Sequence, residues 1–332
     1  MAEVNLSLGL TTSISTGMVK WLTDILDRIG VYGVWVGEDI GKLQDIFTLT
    51  GIILLETERV IVGIGVTSPL IRNPTTVARA AATLTEISPR FRFGLGVGGL
   101  QDLTLMGLKV EKPAKLMEEN INLLRAIWRG EKVTNPRLGL TDYRLKYHVD
   151  GEIPIFVGAR GPRMLRLAAD LADGLILSGP KKYIEDTVRS ISGRLAERRS
   201  RFTFVLWLPT IMVQSKGDLD LAKKTVAIVA ADTPDTVLER AGIQMEMVEE
   251  IRSRLATSGI EAASEHVPEV LMEHLCISGS ADKICDRFLE YSRVGVDEIV
   301  FGPPYGRNPR EAIEKVTEAW RAASEVWNQH KY

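Results

Sequence analysis

Residues 153–180 read IPIFVGARGPRMLRLAADLADGLILSGP, and this stretch decides the fold. It opens on a short β-branched and aromatic run, IPIFVG, which is a strand signal. Two glycines and a proline follow, and Pro162 presets φ for a first helical turn without losing a hydrogen bond there. The next residues, PRMLRLAADLA, carry apolar side chains at the spacing of one helix face. A second strand, GLILS at 174–178, comes directly after. Strand, crossover helix and strand at this spacing form a parallel βαβ unit.

The same alternation runs through the chain. Strand-like runs occupy residues 4–10, 31–36, 59–66, 92–97, 153–158, 174–178, 202–213 and 298–302, with helical stretches between them. The helix PTTVARAAATLTEI opens at Pro74, and KLMEENINLLRAIWRG closes at Gly130, the usual placement of these two residues. Eight β–α units predict an α/β protein, a (β/α)8 TIM barrel, with an open doubly wound sheet as the competitor. The length of 332 residues allows about two domains at ~150 residues each. No linker or shift of composition divides it, so a single domain over residues 1–332 is expected. Two segments exceed the repeat. Residues 132–151 are expected as an excursion over the barrel mouth. Residues 219–274 form a helix-rich insertion between the seventh and eighth strands, where binding loops and subunit contacts tend to sit.

Composition narrows the function. With 41 Lys+Arg against 43 Asp+Glu, the net charge is −2, and no basic run offers the concentrated charge that nucleic acid binding needs. The two cysteines, Cys276 and Cys285, have no metal or redox spacing. The first residues lack a signal-peptide pattern, and no apolar stretch approaches the roughly 20 residues that span a bilayer. A soluble cytoplasmic protein, bound to neither membrane nor nucleic acid, is expected. The four histidines, His148, His266, His274 and His330, share no ligand spacing, so no metal site is expected. Trp21, Trp35, Trp128, Trp207 and Trp320 read as core.

Function in such a barrel lies at the C-terminal ends of the strands. These ends are rich in Gly, Pro and Ser and poor in His, Cys and Lys, which suits backbone contact with a bulky cofactor. Gly158, Ala159, Arg160, Gly161 and Pro162 make a loop and helix N-terminus able to bind a phosphate through N–H groups, with Arg160 or Arg163 assisting; an ordinary tight turn is the plainer alternative. GLGVGG at 94–99 matches G-x-G-x-x-G, but LQDLTLMGLKVEKP intervenes before the next helix and the strand is the fourth rather than the first, so a nicotinamide fold is not expected. Close approach of Gly96, Val97 and Gly98 to a flat ring is the functional reading, and packing glycines are the alternative. GIGVTSP, with Gly65, Val66 and Thr67, allows a backbone bulge under a ligand. Glu38 and Asp39 are carboxylates at a strand end and candidate proton donors, although a capping or arginine-paired loop would also explain them.

These loops together, with EKPAKLMEE, TPDTVLERAG, CISGSADKI and VFGPPYG, resemble the bacterial-luciferase-like superfamily over nearly the whole chain. Within it the sequence is most similar to the archaeal methylenetetrahydromethanopterin reductases, which use the deazaflavin coenzyme F420. The resemblance implies a dimer or tetramer without metal. It places the cofactor across the barrel mouth, its phosphate on Gly158 to Pro162 with Ser178 and Gly179 adjoining. It sets the ring against a bulge containing a non-prolyl cis peptide, by position Gly65–Val66, with Thr67 and Gly96 to Gly98 at the ring or its ribityl chain. The implied reaction is hydride transfer between reduced F420 and a C1 unit on a pterin. Where relatives carry a Glu in the first strand this chain has Gly9. Where others carry an Asp-His pair or a further Glu it has Glu38-Asp39 and Gly99. An FMN-dependent monooxygenase and a non-catalytic F420-binding or assembly subunit are the alternatives.

Overall fold

The computed structural model describes residues 4–41, 44–147, 149–198 and 200–329; His148 and His330 lie outside the described residues. The chain begins β1 (Asn5–Thr11), α1 (Thr16–Ile25), β2 (Gly33–Gly37), α2 (Ile46–Glu56), β3 (Ile61–Ile64), α3 (Pro74–Ile87) and β4 (Phe91–Leu95). A short α4 (Leu100–Leu105) and α5 (Pro113–Trp128) precede β5 (Val133–Asn135) and β6 (Leu140–Tyr143). Next come β7 (Ile155–Gly158), α6 (Pro162–Leu171), β8 (Gly174–Leu177), α7 (Lys181–Leu195), β9 (Thr203–Trp207) and β10 (Thr210–Met212). The helices α8 (Lys216–Asp232), α9 (Asp235–Arg240), α10 (Met245–Glu265) and α11 (Glu269–Leu275) form the insertion. The chain returns through β11 (Ile277–Gly279), α12 (Ala281–Ser292), β12 (Glu298–Phe301) and α13 (Pro309–Gln329).

Eight strands close a parallel barrel in the order β1-β12-β9-β8-β7-β4-β3-β2, the (β/α)8 architecture. The seam joins the two ends of the chain, with Leu6 of β1 opposite Ile299 of β12 and Gly9 opposite Trp35 of β2. Helix starts follow their local chemistry. Asn73 accepts from Thr75 N ahead of Pro74, and Ser15, Asp45, Ser215 and Ser280 cap four further helices, each satisfying an otherwise orphaned N–H.

Three expectations are corrected. The run 202–213 is two strands, because it breaks at Leu208-Pro209 and proline supplies no ladder N–H. β9 stays in the barrel, while β10 leaves it to pair with β11, Thr210 opposite Ile277. Residues 132–151 contain the antiparallel β5–β6 hairpin. Since it joins the end of α5 to the start of β7, it lies under the barrel at the N-terminal ends of the strands, away from the mouth. Directly after Gly99 the short α4 opens, where a loop was expected; its one and a half turns do not alter the barrel topology.

The barrel interior is filled by setting large rings against glycines. An ideal Cβ on Gly63 would lie 2.4 Å from the Trp35 ring, and one on Gly174 would lie 2.3 Å from Phe156. The two rings meet edge to face at 5.0 Å, a favoured aromatic geometry. The insertion has an apolar cluster of its own, with Val226, Leu238, Ile251 and Leu271 among its members. Small residues on its helices, Ala222, Ala227 and Ala230 of α8 and Ala263 of α10, permit close helix approach.

One carboxyl is enclosed in this interior. Glu298 Oε1 accepts from Ser7 Oγ at 2.5 Å and from Trp35 Nε1 at 2.6 Å. Burial pushes the group above the ordinary carboxylate range, while those two hydrogen bonds and Arg92 pull the other way. The folded chain therefore favours the neutral acid. The stability so gained is complete below the ordinary value of about 4.3 and is lost as pH rises through the raised folded value. Glu298→Gln keeps an acceptor for Ser7 and Trp35 and removes the ionisation. Its melting temperature relative to the parent is expected to climb as pH goes from about 5 to about 8, measured by calorimetry. An unchanging difference would mean that Glu298 does not titrate with folding.

Candidate functional site at the barrel mouth

The residues singled out in the sequence fall on one continuous arc of the mouth. Glu38 and Asp39 follow β2, Gly65 to Thr67 follow β3, and Gly96 to Gly98 follow β4. Gly158 to Pro162 close β7, and Ser178 and Gly179 close β8. These five strands are consecutive neighbours in the barrel.

The segment after β3 is stitched to the end of β4. Thr67 N donates to Gly94 O at 3.1 Å, and Gly96 N donates to Thr67 O at 3.0 Å. The Gly65–Val66 peptide is cis, as the resemblance implied. The Val66 side chain projects inward over β4 and β7, its Cγ atoms 2.5 Å from an ideal Cβ on Gly96 and 3.0 Å from one on Gly158. Only glycine leaves room for it there. Ser68 Oγ donates to Val97 O at 2.6 Å, and Gly98 takes φ of 109°, a backbone state that glycine alone adopts freely.

Glu38 accepts at both oxygens, from Thr67 Oγ1 at 2.6 Å and from Arg72. Arg72 also pairs with Asp45 at 3.0 Å and lies over the Phe47 ring. Glu38 is thus built into the wall as an acceptor that aims the Thr67 hydroxyl. Asp39 is held through its backbone, its N–H donating to Thr12 Oγ1 at 2.8 Å.

At the far end of the arc, Gly161 is the N-cap of α6 and offers no side-chain cap, with Pro162 at the first position. The first-turn N–H groups of α6 are therefore open to an anion. Arg160 is placed differently from the sequence expectation. Its guanidinium donates to Asp232 Oδ2 at 2.8 Å and to Thr233 Oγ1 at 3.3 Å, which ties it to the end of α8. Tyr183 Oη donates to Arg160 O at 2.5 Å, further fixing the loop. Arg163 is exposed. Ser178 is half-buried beside Gly179, whose φ is 144°.

The opposite side of the mouth was not singled out. Trp207, expected in the core, is only partly buried at the end of β9. Its Cζ2, Cη2 and Cζ3 atoms lie 2.7, 3.4 and 3.1 Å from ideal Cβ positions on Gly9, Gly37 and Gly65. Its Nε1–H donates to Gly302 O at 2.7 Å. Gly302 follows β12, so the indole perimeter touches β12, β1, β2 and β3 in their order round the barrel. The ring lies across the barrel as a plate. It packs against the cluster that contains Trp35, Val205 and Val300. A cavity of about 580 Å³ opens between the β1–α1 and β12–α13 connections, lined by Gly9, Leu10, Met18, Pro303, Tyr305 and Arg310 among others but not by Trp207. None of the expected cofactor residues lines it. The glycines facing Trp207 come from three separate strands, so no local motif could have revealed the plate.

Among the described residues no group of His, Cys, Asp and Glu is arranged to hold a metal, and no helix is long and apolar enough to cross a membrane. Cys276 and Cys285 are buried, and burial pushes each thiol up to about 12.

A closed parallel barrel with its site on the strand ends is shared by many chemistries, and comparison resolves which branch this is. A family model described as luciferase-like monooxygenase matches residues 7–298, and the chain belongs to that family. Among its relatives is the 5,10-methylenetetrahydromethanopterin reductase of Methanolobus tindarius, 30% identical over 88% of this chain and 92% of that one. The enzyme of the same name from Archaeoglobus fulgidus is 28% identical over 90% of this chain and 93% of its own length. The solved coenzyme F420-dependent tetrahydromethanopterin reductase of Methanopyrus kandleri superposes with a TM-score of 0.86 at 24% identity, covering 97% of this chain and 99% of that one.

The contact between Gly9 and Trp207 is testable without any ligand. Gly9→Ala places a methyl 2.7 Å from the indole and is expected to cost about 1–3 kcal/mol, the usual penalty for overpacking. Adding Trp207→Leu is expected to return much of that loss, giving a coupling above about 0.5 kcal/mol in a denaturant double-mutant cycle. Strict additivity would show that the two positions do not compete for one volume.

Proposed function

We propose that the chain is an F420-dependent oxidoreductase, transferring a hydride between reduced deazaflavin and a C1-carrying pterin. One observation carries this reading. The continuous arc from β2 to β8 sets an anion-ready helix end beside an apolar bulge that can back a flat ring. The names of the relatives support the same assignment.

The residues present fit such a cofactor. The open N–H groups at the start of α6 and the Ser178 hydroxyl would hold its phosphate, with Gly158, Ala159, Gly161 and Gly179 keeping the backbone close. Arg160, engaged by Asp232, would shape this loop rather than reach the phosphate. Val66, flanked by Gly65, Thr67 and Gly96 to Gly98, would back the ring. When bound, F420 supplies the hydride, and the protein contributes position and exclusion of water. Glu38 holds Thr67 in place and Asp39 lies on the rim; neither is assigned as a proton donor.

FMN also has a phosphate and a flat tricycle, and the family's description favours it as the second reading. An anaerobic assay with reduced F420 and methylene-tetrahydropterins, followed by reoxidation of the deazaflavin, tests the first. F420 is expected to bind more tightly than FMN and to be reoxidised only with the pterin present. Asp39→Asn is expected to keep turnover within about threefold, whereas removal of a true general acid costs about a hundredfold or more. Tight FMN binding with no F420 binding would sink the proposal.

We also infer a homo-oligomer built on α2. That helix is apolar on nearly every side, and Ile52 and Leu55 stay 45% and 69% exposed; an all-round apolar helix calls for cover on its outer face. Ile52→Asp with Leu55→Asp is expected to give a folded monomer by light scattering. An unchanged assembly would place the interface elsewhere.

A further inference from the structure

We propose that the cavity at the N-terminal end of the barrel, between Arg92, Arg201 and Glu298, is a binding site for a small inorganic oxyanion. It lies at the opposite end from the mouth and does not depend on the hydride-transfer reading above.

Strand register places these residues inside the barrel. Arg92 stands opposite Gly63, and Glu298 stands opposite Asn5 and Val205. Gly63 faces the Trp35 ring, and Val205 belongs to the interior cluster, so Arg92 and Glu298 share the inner face. Thr203, two residues before Val205, shares it as well. Layers of a (β/α)8 interior are ordinarily filled by bulky branched apolar side chains. This one instead sets Asn5, Arg92, Thr203 and Glu298 round a cavity of about 150 Å³, with the exposed Arg201 beside them.

The polar groups of this layer do not satisfy one another. Arg92 Nη1 donates to Pro89 O at 3.0 Å and to Phe91 O at 2.8 Å, and the guanidinium forms no ion pair with a carboxylate among the described residues. An inward cation needs a counter-charge, and the planar guanidinium fork matches an oxyanion. Arg201 adds a second cation to the lining. Glu298 supplies a third donor. Its Oε1 already accepts from Ser7 and Trp35, so Oε2 is the oxygen left to the cavity. Burial favours the neutral acid, and its proton then belongs on Oε2, where it can be donated to a ligand. The groups facing Glu298 come from every strand around it: Asn5 and Ser7 of β1, Trp35 of β2 with Tyr32 before it, Arg92 of β4, and Thr203 of β9 with Arg201 before it. Asp297, next in the chain, raises its pKa and Arg92 lowers it; the Asp297 carboxylate is itself engaged by Phe204 N at 2.8 Å. An oxyanion in the cavity would meet donors from β4, β12 and the start of β9. Since β7 and β8 stand between β4 and β9 in the barrel, such a ligand braces strands that do not pair.

The test titrates sulfate, which does not change its charge near neutral pH, into the protein at constant ionic strength, read by calorimetry and by melting temperature. Sulfate also stabilises proteins by exclusion from their surfaces, and the open first turn of α6 can take it up. Arg201→Gln retains both of those effects, so the signal is the difference between the parent and this variant. The parent is expected to show a saturable site that is at least about tenfold weaker in Arg201→Gln and in Arg92→Gln, the size of a lost charge-assisted hydrogen bond. Its affinity is expected to fall as pH rises from about 5 to about 8, because an ionised Glu298 would repel the anion. Glu298→Gln keeps an N–H donor in that place and cannot ionise, so its affinity is expected to stay level over the same range. If Arg92→Gln fails to fold, Arg201→Gln, at an exposed position, decides alone. A sulfate response in Arg201→Gln equal to that of the parent would overturn the proposal and leave the cavity to water. Parent affinity that holds steady or rises with pH would remove Glu298 as a donor, and chloride binding as tightly as sulfate would refute the choice of an oxyanion.

Discussion

A closed barrel of eight strands has a narrow interior, and the volume a ring takes from one strand must be surrendered by its neighbours. Here glycines surrender it. Trp35 lies over Gly63, Phe156 over Gly174, and Trp207 over Gly9, so each large ring is seated by the absence of a side chain on another strand. Dense packing of this kind tolerates little change of volume. The same interlock gives the barrel its polar contact, since the Trp35 indole N–H finds its acceptor in Glu298. It also makes the floor of the mouth, with Val66 over the β4–β7 side and Trp207 over the β12–β3 side. What the site can hold is therefore settled by how the barrel is filled.

That dependence explains which parts of the molecule were legible in the sequence. The eight strands were, because each is a short apolar run bounded by Gly and Pro, and the crossover helices announce themselves by their period. The arc from Glu38 to Gly179 was also legible, because a βα turn is local chemistry and the glycines in GVTSP, GVGG and GARGP mark where backbone approaches closely. Trp207 was misread, since its neighbours Gly9, Gly37 and Gly65 belong to other strands. The engagement of Arg160 was hidden for a related reason, its partner Asp232 standing 72 residues further on. The break at Pro209 was missed despite a local signal, a proline inside an expected strand.

The insertion is joined to the barrel at points that matter for the mouth. Asp232 at the end of α8 grips the loop that begins the anion-ready turn. β10 continues directly from the strand bearing Trp207, and Met212 N donates to Tyr305 O while Tyr305 N donates to Thr210 O. Tyr305 itself reaches Gly9 through its hydroxyl. A shift of the insertion would therefore bear on both the loop before α6 and Trp207. Coupling of this sort travels through packed and hydrogen-bonded groups.

The pairing of β1 with β12 has a consequence for how the protein is made. The first strand leaves the ribosome early, yet one of its two neighbours, and the tyrosine that bonds to Gly9, lie beyond residue 297. At about 5–20 residues per second, translation leaves that edge without a partner for many seconds. Nascent chains thus carry an apolar strand with one edge uncovered until β12 has been made. Closure waits for β12, and holdase chaperones have their opportunity in that interval.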